Sequence, residues 1–177
     1  MNPLLDLVEA EFKHRQFLQQ FWCGPIPFRQ AKKRRTPHPE QYAIAVQSIV
    51  RNLQPRAAYP ERMHICYVDE YELVKSVGWA KFIESSDGHH RASFYVLATH
   101  LVFTRQGAGQ HTYTHVVNDL VGLAQDASVF NSLTITALVH PNNVACKTLL
   151  TQNHWVHSDM DVDGLHEEWA LVVRVED

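Results

Sequence analysis

Apolar residues recur along this chain with two periods, and the alternation between them outlines the fold. Leu4, Leu7, Val8, Phe12, Phe17, Leu18, Phe21 and Trp22 form a broad stripe with charges between. This spacing predicts a helix over residues 3–22, stopped by Gly24-Pro25-Ile26-Pro27. Tyr42, Ile44, Ala45, Ile49, Val50 and Leu53 predict a second helix over 40–53. His64–Val68 and Val74–Ile83 read as strands joined by a turn at 69–72, with a further turn at Ser85–His90. Phe94–Phe103 is an apolar run rich in aromatic and β-branched residues, which predicts a strand buried on both faces. Tyr113, Val116, Val117, Leu120, Val121 and Ala124 predict an amphipathic helix over Gln110–Ala124. A strand at Leu133–Val139, a helix at Val144–Gln152, a strand start at Trp155–His157 and a last strand at Trp169–Val175 complete the series. The order α, α, β, β, β, α, β, α, β, β implies an α+β fold, with a mixed, mainly antiparallel central sheet flanked by helices.

Composition narrows the class. With 177 residues, 45% of them hydrophobic, the chain suits a single domain over 1–177. Residues 1–60 form its helical part and 61–177 its sheet. A net charge of -3 argues against a generally basic nucleic-acid binder. The run Arg29-Gln30-Ala31-Lys32-Lys33-Arg34-Arg35 is the one basic stretch; it reads first as a solvated loop, and a nucleic-acid contact there is not favoured. Cys23, Cys66 and Cys146 show no paired framework, so reduced thiols are expected. Acidic Asp6, Glu9 and Glu11 near the start are unlike a secretory leader. No apolar run reaches membrane-spanning length. A cytoplasmic protein without a membrane partner is therefore expected.

Candidate chemistry centres on Thr104-Arg105-Gln106-Gly107-Ala108-Gly109, between the apolar strand and the following helix. Amides at a helix start point outward with the positive end of the helix dipole, and glycine permits close approach. This turn is an anion site in prospect. His111 and His115, four apart, lie on one helix face, but no third ligand accompanies them and no metal is expected. Asp159, Asp161, Asp163, Glu167 and Glu168 form an acidic connection that could attract a cationic amine.

Two motifs resemble the GNAT superfamily, the acetyl-CoA-dependent N-acyltransferases. The first is the loop 104–109, similar to the family's Gln/Arg-x-x-Gly-x-Gly between strand and helix, with Thr104 at the usual Gln/Arg position. The second is Val139-His140-Pro141-Asn142-Asn143-Val144-Ala145-Cys146, then Leu149 and His154-Trp155. It is similar to the family's strand, His-Pro-x-Asn turn and helix, with His154-Trp155 where Gly-Phe is usual. The likeness covers about residues 93–157. The first sixty residues match only in being helical; a short strand normally precedes the helices, and the apolar pattern assigns none here.

The resemblance implies acetyl-CoA as co-substrate and direct attack by an amine in a ternary complex. The acceptor amine is left open, on a small molecule, an antibiotic, a peptide N-terminus or an aminoacyl-tRNA, and a homodimer is compatible with the family. The central strands ending at Phe103 and Val139 would splay apart. The pantetheine arm would lie along Leu97, Thr99 and Leu101. The pyrophosphate would sit on the amides of Gln106, Gly107, Ala108, Gly109 and Gln110, with Thr104 and Arg105 completing the loop, and Asn143 and Cys146 would meet the cofactor arm from the other side. A strand amide near Thr99 would stabilise the oxyanion. Leu150 stands where the family's proton-donating tyrosine is usual. His100, beside Thr99, and Glu84, at the end of the preceding strand, are the candidate bases. A non-catalytic acyl-CoA-binding or interaction module is the alternative.

Overall fold

A computed structural model describes residues 6–26, 30, 32–33, 40–55, 61–68, 73–160 and 164–174. Its elements are β1 (Asp6–Glu9), α1 (Arg15–Gln19), α2 (Gln41–Asn52), β2 (Glu61–Val68), β3 (Leu73–Ile83), β4 (His89–Thr99), α3 (Ala108–Gln125), β5 (Ser132–Val139), α4 (Val144–Gln152), β6 (Val156–Met160) and β7 (Glu167–Arg174). They form one seven-stranded sheet in the order β1-β2-β3-β4-β5-β7-β6. Every neighbouring pair is antiparallel except β4 and β5. The α+β reading with a mixed, mainly antiparallel sheet therefore holds. Among the described residues no helix is long and apolar enough to cross a membrane.

Two expectations are corrected. The helix predicted over 3–22 is not one helix. Asp6–Glu9 is a strand, a 3-10 turn follows at Phe12–His14, and only Arg15–Gln19 is α-helical. Leu7 and Val8 fit a helical stripe, but pairing with Cys66 and Ile65 of β2 overrides local spacing. Nor does the apolar run 94–103 form one strand. β4 starts earlier, at His89, and ends at Thr99, while Leu101–Phe103 turns as a 3-10 helix with Val102 68% exposed. Burial along β4 alternates from residue to residue.

A helical layer covers each face of the sheet. On one face, Tyr113, Val116, Leu120 and Ala124 of α3 pack on Ala80, Phe82, Ala92, Phe94, Leu133 and Ile135. On the other, Phe17, Leu18, Phe21 and Val50 pack on Ile65, Val74, Val77, Val96 and Ala98. β4 contributes to both clusters with even-numbered residues, which a regular strand could not do. The cause is a bulge. Phe94 and Val96 pair with the adjacent residues Ala80 and Trp79, leaving Tyr95 as the extra residue. Side chains before Tyr95 and after it therefore swap faces.

α3 sits close to β3 because Gly78 offers no side chain. A Cβ there would lie 2.8 Å from Val116 Cγ2 and 2.9 Å from Thr112 Cγ2. Both neighbours are β-branched and stiff. Gly78→Ala is expected to destabilise the chain by about 1–3 kcal/mol, read as a lower urea midpoint with an unchanged slope.

Candidate functional site

The loop ahead of α3 is a cradle of amides. Arg105 and Gly107 both adopt left-handed backbone conformations, at φ 64° and 83°. Left-handed residues among right-handed ones curl successive N–H groups around a concavity suited to an anion. The carbonyl of Gly107 accepts the first helical bond, from His111 N–H at 2.9 Å. The amides of Ala108, Gly109 and Gln110 thus precede the helical ladder, at the positive end of an 18-residue helix. No side chain caps that start. The flanks of the loop are tied internally. Thr104 Oγ1 donates to Leu101 O at 2.9 Å and Gln106 Nε2 donates to Val102 O at 3.0 Å.

The two glycines act for different reasons. Gly107 supplies a positive φ with open space around its Cβ position. Gly109 supplies room: a Cβ there would lie 2.5 Å from Thr99 Oγ1. It lets the start of α3 touch the end of β4.

Beside the loop the sheet opens. β4 and β5 pair in parallel from His89–Ser132 to Phe94–Ala137 and no further. His100 N–H donates to Lys75 O of β3 at 2.7 Å. Amide direction alternates along a strand, so Leu97 and Thr99 turn their backbone groups away from β3, into the gap. Leu101 does not continue this row; its amide donates to Trp22 O at 2.8 Å.

Two cavities meet in the gap. The larger, about 610 Å³, runs past the amide cradle, and Leu97, Thr99, Arg105, Gly109, Asn143 and Cys146 are among its lining residues. The smaller, about 390 Å³, opens on the far side between α2 and the sheet, lined by Ile49, Tyr95, Tyr113, Leu138, His140 and Leu150 among others. Both lie within the size range of small-molecule sites. They share Tyr42, Val46, Leu97, Asn143 and Cys146, so they form one cleft with a waist. Asn143 Oδ1 caps α4 by accepting from Cys146 N–H at 3.2 Å.

No family model matches the sequence, and no curated protein matches it. Solved structures do match the fold. A putative acetyltransferase of the GNAT family from Desulfovibrio desulfuricans superposes with a TM-score of 0.59 at 9% identity, covering 96% of this chain and 98% of that one. The PaiA N-acetyltransferase of Thermoplasma acidophilum in complex with coenzyme A gives 0.59 at 11% identity, covering 93% and 96%. AtaTR bound with AcCoA gives 0.59 at 15% identity, covering 93% of each chain. This chain has the GNAT fold. β1 supplies the short first strand of that fold, which the apolar pattern had hidden.

The cleft gathers most of the residues nominated from sequence. Leu97, Thr99, Thr104, Arg105, Gly107, Gly109, Gln110, Asn143 and Cys146 line it. Leu101, Gln106 and Ala108 do not. Leu101 is bound to Trp22, Gln106 N–H donates to Phe103 O at 3.4 Å, and Ala108 is buried with its carbonyl accepting from Ser76 Oγ.

Both candidate bases lie elsewhere. The swap of faces at Tyr95 sends His100 to the side opposite Thr99. There it is buried, its ring edge-on to Phe21 at 5.7 Å, and its Nδ1 accepts from Val102 N–H at 3.3 Å. Glu84 follows Ile83, which pairs with Arg91 near the start of β4, whereas the cleft opens at its end. Cys146 lines the waist, but burial pushes its thiol up to about 11, which keeps it protonated and unsuited to nucleophilic attack.

Several other charged groups have structural partners. Asp119 of α3 accepts from His64 Nε2 at 3.1 Å and from Arg62 Nε at 3.2 Å, tying α3 to β2, with His115 edge-on to His64 at 4.7 Å. Among the described residues no group of three His, Cys, Asp or Glu side chains is placed to hold a metal. Glu167 pairs with Lys147 of α4 at 3.1 Å and Glu168 accepts from Ser158 Oγ of β6 at 3.2 Å, so both tie β7 to a neighbouring element. Asp161, Asp163 and most of the basic run lie outside the described residues.

Gly109→Ala is expected to destabilise the chain despite alanine's better helix propensity. In a Thr99→Ala background the same change should become neutral, or stabilising by up to about 1 kcal/mol. Urea unfolding of the four proteins measures the reversal. A second outcome concerns pH. Burial, and then the charge of Arg51, hold His100 below its ordinary value of 6.5. The unfolded chain therefore binds more protons near that pH, and folding stability should fall as pH drops below about 6.5. His100→Asn should flatten this fall. His115, lowered chiefly by burial, keeps the same sign in the variant.

Proposed function

We propose that this chain is an acetyl-CoA-dependent N-acetyltransferase whose acceptor is an amine on a small molecule or peptide. The observation that carries the reading is a single cleft with two mouths. One mouth ends on an amide cradle at a helix start, and the other is lined by apolar and aromatic side chains. Coenzyme A and acetyl-CoA are bound by two of the structural neighbours. The residues here suit the same ligand. The free amides at the start of α3, from Ala108 to Gln110, would hold the pyrophosphate, with Arg105 adding a fixed positive charge. The backbone groups of Leu97 and Thr99 would bind the pantetheine amides as a further strand would.

Acyl transfer to nitrogen needs a neutral amine, an oxyanion donor and a route for protons. Val96, Ile49, Leu138 and the aromatic rings of the smaller cavity form a poorly hydrating surface. Such a surface disfavours an ammonium and so favours the attacking form. Leu97 belongs to both cavities, and its amide would meet the developing oxyanion. The amine's proton would pass to water in the open mouth.

Leu150 on the smaller cavity favours a second reading, a non-catalytic acyl-CoA-binding module. Release of coenzyme A on adding an acceptor separates the two.

Acetyl-CoA at about a hundred times its Kd is expected to stabilise the fold by about 2.7 kcal/mol. For a chain of this size that raises Tm by roughly 5–10 °C. Arg105→Ala should reduce the shift without changing the Tm of the free protein. No shift with acetyl-CoA or longer acyl-CoAs would rule out both readings.

A further inference from the structure

The waist of the cleft is where an acetyl group must lie if it is to pass from one cavity to the other. Five residues line both cavities there: Tyr42, Val46, Leu97, Asn143 and Cys146. A departing thiolate at the waist needs a proton donor. Val46 and Leu97 have no polar side-chain atom. Asn143 is engaged as a helix cap through its Oδ1. Cys146 offers only an S–H, a weak donor. Tyr42 is the one residue of the five with an O–H. We propose that Tyr42 is the proton donor to the coenzyme A sulfur, an assignment that rests on the transferase reading above.

The fold places this ring with care. Tyr42 stands in the first turn of α2, and α2 is pinned at its middle and near its C-terminal end. Gln47 Oε1 accepts from the amides of Cys23 and Gly24, each at 3.0 Å. Arg51 Nε donates to Phe21 O at 2.7 Å. From across the cleft, His140 of the turn after β5 stacks on the tyrosine ring, with centroids 5.1 Å apart and planes 23° from parallel. His166 meets His140 edge-on at 6.3 Å. The ring is thus held between two elements that belong to opposite walls of the cleft. Its titratable neighbours are Glu40, Cys146, His140 and His166. Burial, then Glu40, then Cys146 raise the phenol above its ordinary range, so it carries its proton at neutral pH.

The step balances. The acceptor nitrogen forms a bond to the thioester carbonyl carbon, and the carbon–sulfur bond breaks with its electron pair going to sulfur. Sulfur takes the phenolic proton of Tyr42. The phenolate recovers a proton from water, which has received the one lost by the amine. Tyr113 is the competing hydroxyl. It lines the smaller cavity only, and its oxygen accepts from Trp155 Nε1 at 2.6 Å.

The test compares wild type, Tyr42→Phe and Tyr113→Phe. Phenylalanine at 42 keeps the ring on His140 and removes only the O–H. The first readout is the ultraviolet absorbance of the thiolate of bound coenzyme A as pH is raised. An O–H donor to sulfur favours the thiolate, so its appearance should move up by about one pH unit in Tyr42→Phe and stay put in Tyr113→Phe. The second readout is coenzyme A release from acetyl-CoA with hydroxylamine, a small nucleophile already unprotonated at neutral pH. Tyr42→Phe should lower kcat on the order of 100-fold, with KM for acetyl-CoA unchanged. Wild-type behaviour of Tyr42→Phe in both readouts would overturn the assignment. So would the same effects appearing in Tyr113→Phe instead, or loss of acetyl-CoA affinity in Tyr42→Phe, which would make Tyr42 a binding residue. A wild type that binds acetyl-CoA but releases no coenzyme A with hydroxylamine would overturn the transferase reading itself.

Discussion

Strands β4 and β5 exchange hydrogen bonds only as far as Phe94 and Ala137, and the backbone groups beyond must find partners elsewhere. Unpaired backbone in a buried gap is costly, so proteins keep such a gap only where water or a ligand fills it. Here Leu97 and Thr99 face the opening, and the two cavities occupy it. The helices respect the same gap: α2 forms one wall, α4 and the turn before it form another, and the start of α3 closes one end. The site is a place where the sheet was left unfinished.

The bulge at Tyr95 lies where the pairing stops. It reverses the faces of β4, so Phe94 serves the α3 side and Val96 the α1 and α2 side. By the same reversal Thr99 meets Gly109, and His100 turns into the opposite core against Phe21. Had β4 continued regularly, His100 would lie on the α3 side and Thr99 on the other. One inserted residue therefore decides which of two adjacent polar side chains reaches the cleft.

Helix-bounded features of the site were legible in sequence, because their causes are local. The glycine loop follows from the change of period between strand and helix, and Asn143 follows from the resemblance of the His140–Asn143 turn to the family motif. Tyr42 was not legible as a site residue. It sits at core spacing with Ala45 and Ile49, and nothing local distinguishes a tyrosine that lines a cleft from one that fills a core. Its role depends on His140, 98 positions later in the chain.

By itself the sequence determined the element types from β2 onward, the mixed sheet and the glycine turn ahead of α3. Each rests on periodicity or turn chemistry within a few residues. Only the tertiary structure decided that Asp6–Glu9 pairs as a strand, that the apolar run breaks at Thr99, that His100 leaves the cleft and that Tyr42 enters it. Those outcomes depend on pairing register and on a bulge, where a shift of one residue reverses every side chain. Local spacing carries no record of which register the neighbouring strand imposes.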